Sequence, residues 1–105
     1  MVVELTDKDF DGEVGKGLTL VDFWAPWCGP CRTAAPFVDK LAVEMEGVAN
    51  VVKVNVDENQ GVAAKHQVMS IPTFILFKDG EVLDRTSGFT PRFVEEWTEK
   101  INAAG

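Results

Sequence analysis

The sequence predicts an α/β domain of three layers, α/β/α, with a mixed five-stranded sheet at its centre and about four helices on its two faces. Three observations predict it. Two runs, Leu18–Trp24 (LTLVDFW) and Thr73–Lys78 (TFILFK), are almost continuously apolar, as strands covered on both faces are. Helical segments separate the first three strand candidates, and helical crossovers make parallel neighbours. A two-residue Asp79-Gly80 turn joins the last two strands, which makes an antiparallel pair.

In chain order, residues 2–5 form a short apolar strand candidate. Thr6, followed by Asp7 and Asp9, resembles a helix N-cap with acid in the first turn, leading to Phe10 and Val14, and Gly15-Lys16-Gly17 ends that helix. After the strand LTLVDFW, residues 25–30 break the chain. From Cys31 the apolar positions 34, 35, 38, 41, 42 and 45 make a helical stripe that stops at Gly47, and Pro36 within it predicts a kink. Residues 50–56 (NVVKVNV) are β-branched enough for a strand, residues 59–66 carry a weak helical signal, and residues 81–84 complete the Asp-Gly hairpin. Thr90 as N-cap and Pro91 at the first position open the last helix, with Val94, Trp97 and Ile101 on one face.

A chain of 105 residues, 46% apolar and 26% charged, fits one domain over residues 1–105. A core drawn from seven Phe, three Trp and fifteen Val needs neither a disulfide scaffold nor a structural metal at this size. The net charge of −7 has the wrong sign for nucleic acid or an anionic membrane. The first residues offer neither a basic leader nor an apolar signal stretch, so the expected location is the cytoplasm. The longest stretch free of Asp, Glu, Lys and Arg is twelve residues, 66–77, short of the ~18 of a membrane helix. Two cysteines in a reducing compartment then point to redox or metal chemistry.

Cys28-Gly29-Pro30-Cys31 falls where a strand feeds a helix, the usual place for a site in such sheets. Two intervening residues let the sulfurs meet as the chain turns into the helix. Unpaired N–H groups and the dipole at a helix N-terminus favour a thiolate, the attacking form. Cys28, at the end of the loop, is expected to be exposed and to attack; Cys31, one turn in on the apolar stripe, is expected to be buried and to resolve. The competing use of C-x-x-C is half of a zinc or iron–sulfur site, but those normally need four ligands, and the chain has one further candidate, His66. His66 reads as a solvated surface residue.

Asp22 stands inside LTLVDFW, where a carboxylate is costly to bury alone. Either it faces water from an edge strand, or it is a buried acid that takes a proton from Cys31 before that thiol attacks. Lys53, in the 50–56 strand, either pairs with Asp22 or faces solvent. Pro72 belongs at a strand's start, where its missing N–H is tolerated. Trp24 reads as core, whereas Trp27 beside Cys28 reads as an exposed contact residue.

With these residues in view, the chain resembles the thioredoxin family over nearly its whole length. The stretch Trp24-Ala25-Pro26-Trp27-Cys28-Gly29-Pro30-Cys31 matches that family's active-site signature, and Asp22, Pro36, Lys53, Asp57, Ile71-Pro72-Thr73, residues 77–80 (FKDG) and Gly88 stand where its other hallmarks fall. The resemblance implies the thioredoxin fold and a protein-disulfide reductase, re-reduced by an NADPH-dependent thioredoxin reductase and needing no cofactor beyond its own cysteine pair. It further implies a monomer, a cis bond before Pro72, catalytic roles for Cys28, Cys31, Asp22 and Lys53, and a substrate groove lined by Trp27, Gly29, Pro30, Ile71, Pro72 and Gly88. Phe89 departs from the small or β-branched residue usual after that glycine, which bears on substrate preference. A binding module with incidental cysteines and a thiol oxidant or isomerase are the competing functions. Gly29-Pro30 resembles the reducing members.

Overall fold

The computed structural model describes residues 2–105. Its elements are β1 (Val3–Glu4), α1 (Phe10–Val14), β2 (Leu18–Trp24), α2 (Gly29–Glu44), β3 (Asn50–Asn55), α3 (Gln60–Lys65), β4 (Thr73–Lys78), β5 (Glu81–Ser87) and α4 (Phe93–Ala104). The most apolar strand, β2, is the middle one of five in the order β1-β3-β2-β4-β5. It runs parallel to β3 and antiparallel to β4, so the helical crossovers and the hairpin give the mixed sheet that the sequence predicts. Alternation along β2 divides the core. Leu18 and Leu20 face α2 and α4 with Phe74, Leu41 and Trp97, while Val21 and Phe23 face α1 and α3 with Phe10, Val14 and Val62.

The hairpin follows from its two turn residues. Asp79 and Gly80 take φ of 49° and 87°, the left-handed pair that matches the twist of the flanking strands. Asp79 also bonds twice to Gly17, the residue that leads into β2. Its N–H donates to the Gly17 carbonyl at 2.9 Å, and its carboxylate accepts the Gly17 N–H at 2.9 Å. Strand β5 runs three residues beyond the expected 84, with a bulge where Leu76 faces Asp84 but Phe77 faces Val82.

Two helix starts differ from expectation. Asp7 does not serve α1: its carboxylate accepts the Val62 N–H at 2.8 Å and thus caps α3, far along the chain. Asp9 instead closes the turn before α1 by accepting the Thr6 N–H at 2.6 Å. The last helix begins at Phe93 rather than Thr90, because residues 90–93 form a separate turn in which the Phe93 N–H reaches the Thr90 carbonyl. Helix α2 continues through Pro36, which lies on its exposed side.

Candidate active site

The chain leaves β2 at Trp24, and the Cys28 N–H bonds back to the Ala25 carbonyl at 3.1 Å, turning it into α2. Cys28 is the N-cap of that helix, with Gly29 first and Pro30 second, so proline falls where its missing N–H costs nothing. Cys28 and Cys31 form a disulfide across a Cα–Cα distance of 5.2 Å, within the span a disulfide bridges without backbone movement. The Cys31 N–H donates to Cys28 Sγ at 3.2 Å.

Both cysteines are buried, Cys28 at 4% exposure and Cys31 at 3%, so the expected contrast in exposure is absent. The disulfide draws the Cys28 side chain onto the first turn of α2, in a cluster with Ala25, Trp24, Val56 and Ile71. Their surroundings differ otherwise. Cys28 lies on the loop side, its Sγ 3.8 Å from the Ile71 carbonyl, whereas Cys31 is inside the helix on its buried stripe.

Asp22 is buried at 4% exposure, not facing water. It sits between Lys53 on β3 and Phe74 on β4, and alternation turns it toward the face covered by α2, the helix that carries Cys31. One carboxylate oxygen has no hydrogen-bond partner among the described residues. Burial pushes its pKa up to about 7, against the pull of Lys53 and with a smaller push from Glu4. Lys53 is its strand neighbour but not its ion-pair partner. The ammonium lies over the Trp24 ring, 4.4 Å from the centroid, a cation–π contact that holds it beside the acid.

Trp27 is 65% exposed, as expected. Its indole N–H donates to the Asp57 carboxylate at 2.7 Å, a partner that lies past β3 and has no local signal in the sequence. The Ile71–Pro72 bond is cis. The Pro72 carbonyl accepts the Gly88 N–H at 2.8 Å, and Gly88 takes φ of 86°, which a side chain would strain. Phe89 turns inward, its ring 5.0 Å from Phe37 of α2 and 6.0 Å from Phe93 of α4.

His66 corrects the surface reading. Its ring packs at 5.4 Å from Phe10 and 5.3 Å from Phe77, and Nε2 is buried without a hydrogen-bond partner among the described residues. A cavity of about 280 Å³ lies beside Val3, Thr19, Asn50 and Val51, at the other end of the parallel strands from the cysteines. No helix among the described residues is long and apolar enough to cross a membrane.

A mixed α/β/α sheet whose central strand delivers a C-x-x-C disulfide to a helix N-terminus defines a dithiol–disulfide exchange protein. Comparison with known proteins carries this to a family. The family model described as Thioredoxin matches residues 1–100. Curated thioredoxins of Staphylococcus aureus strains MW2, USA300 and COL are each 54% identical over 91 residues, covering 87% of this chain and 88% of theirs. The chain belongs to the thioredoxin family, and it is a disulfide oxidoreductase that acts as a redox carrier through the Cys28–Cys31 pair.

Proposed function

We propose a division of labour among the site residues in the reduction of protein disulfides. In the reduced chain the Cys28 thiolate attacks one sulfur of a substrate disulfide; the substrate S–S bond breaks, its second sulfur leaves and takes up a proton, and a mixed disulfide forms. The Asp22 carboxylate accepts the Cys31 proton. Cys31 then attacks Cys28 Sγ, the substrate leaves with both cysteines reduced, and the carrier holds the disulfide. An NADPH-dependent thioredoxin reductase returns two electrons and restores the dithiol. Lys53 tunes the acid, and Trp27, Gly29, Pro30, Ile71, Pro72 and Gly88 line the substrate groove.

The observation that carries the attacker's assignment is Cys28 as N-cap of α2, its sulfur already accepting the Cys31 N–H, an arrangement that favours negative charge on that sulfur. A lowered thiol pKa at such a position is already known for thioredoxins. The acid's assignment is supported by its burial, its place on the α2 side of the sheet and a pKa of about 7. Residues 1–105 act as a single domain, a reading supported by length and composition, and as a cytoplasmic monomer, a reading supported by membership of the thioredoxin family.

Substitution separates the two sulfurs. Cys31→Ser is expected to accumulate covalent adducts with disulfide proteins that a reductant dissolves, and Cys28→Ser to form none. Equal adduct formation by both variants, seen on non-reducing gels, overturns the assignment.

A further inference from the structure

We infer that Arg85 is a positioning residue for substrate docking: its guanidinium holds the carbonyls of His66 and Gln67 and so fixes the segment that brings Ile71 and Pro72 to the cysteines. The inference rests on the docking face proposed above. Helix α3 ends in a Schellman-type turn, with the Gln67 N–H bonded to the Ala64 carbonyl at 3.1 Å and the Val68 N–H to the Ala63 carbonyl at 2.9 Å. That turn places Gln67 at φ 53°, a left-handed position usually given to glycine. Glutamine sits there at a steric cost that contacts outside the helix can offset.

Arg85 projects from β5 and supplies such contacts. One guanidinium nitrogen donates to the His66 carbonyl and the other to the Gln67 carbonyl at 2.7 Å. No carboxylate among the described residues lies within ion-pair distance of Arg85, so its fork is given to these two oxygens. Beyond the clamp, Val68 and Ile71 pack inward and the segment is hydrogen-bonded again toward its far end. The Thr73 hydroxyl donates to the Ser70 carbonyl at 2.6 Å, and the Gly88 N–H to the Pro72 carbonyl at 2.8 Å. Between the two ties, Met69 is 92% exposed and the Ile71 carbonyl stands 3.8 Å from Cys28 Sγ. Releasing the first tie lets the docking lip wander while leaving the sulfurs in place.

The test compares Arg85→Ala, Arg85→Lys and Arg85→Ala combined with Gln67→Gly in the full chain. Insulin serves as the protein disulfide and oxidised glutathione as the small one. Arg85→Ala is expected to raise KM for insulin about threefold to tenfold, with kcat and the glutathione rate within about twofold of the parent. Arg85→Lys should not restore KM, since an ammonium cannot span two carbonyls. Gln67→Gly should restore it, because glycine takes the left-handed conformation unaided. An unchanged KM in Arg85→Ala overturns the inference, as does a raised KM that persists with Gln67→Gly, which would mean that the arginine itself touches substrate. A parent protein that does not reduce insulin would overturn the underlying reading, and the inference with it.

Discussion

Each face of the sheet carries one titratable side chain with a buried atom that has no hydrogen-bond partner among the described residues. On the α2/α4 face it is Asp22, and on the α1/α3 face it is His66. Desolvation is the largest influence on both and favours the neutral form of each, raising the acid to about 7 and lowering the histidine from its ordinary 6.5. Their charged neighbours differ. Lys53 opposes the shift at Asp22, whereas Lys65 and Arg85 reinforce the shift at His66 and Asp11 opposes it. Burial alone therefore does not single out the proposed proton acceptor. What separates the two is company: Asp22 lies on the side of the sheet packed by the cysteine helix, while His66 touches the rings of Phe10, Phe23 and Phe77.

The contrast can be broken most forcefully at Asp22. Its folded pKa of about 7 against 3.8 for the ordinary group means that its contribution to stability is fully present below pH 3.8 and is lost as pH rises through 7. Asp22→Asn should be more stable by about 4 kcal/mol at pH 9, with the gain gone near pH 4, as urea unfolding across that range would read. The same variant should slow decay of the mixed disulfide without slowing its formation. A gain independent of pH, or unchanged decay, would take the proton from this residue.

On the other face, Asp7→Ala removes the cap of α3 and should cost about 1 kcal/mol at neutral pH. By loosening the helix that ends at His66 it should also move the histidine's titration, followed by NMR, back toward 6.5. The smallest effect is expected from His66→Phe. A depressed folded pKa gives stability that is present above 6.5 and lost as pH falls, so the wild type should weaken relative to this variant on acidification, opposite in sign to the trend at Asp22. Parallel pH profiles for the two proteins would remove His66 from the comparison.

The strands and helices were legible because their signals are local. LTLVDFW and TFILFK read as buried strands and are so, and the stripe from Ala34 to Met45 is the buried side of α2. Asp22 was legible for the same reason: one charge inside an apolar run needs an explanation. The features that escaped depend on contacts between distant segments. His66 looks polar at the end of a weak helix, and only the arrival of Phe10, Phe23 and Phe77 makes it a half-buried ring packed on aromatics. Asp7 resembles a cap for the nearest helix but bonds to Val62, fifty-five positions on. The loop position of Cys28 predicts exposure, but Val56 and Ile71, from distant segments, close around it with Trp24 and Ala25. Arg85 carries no motif at all.

The two edges of the sheet have a consequence for life among unfolded chains. A carrier that meets oxidised, partly unstructured proteins offers their exposed segments a template wherever a strand has a free side, and such pairing seeds fibrils. Here β1 is two residues long, and β5 is bulged at Leu83 and carries Glu81, Asp84 and Arg85 along its length. A passing chain finds too little backbone on one side and a twisted, charged row on the other. Neither edge therefore presents a long, flat run of unpaired backbone.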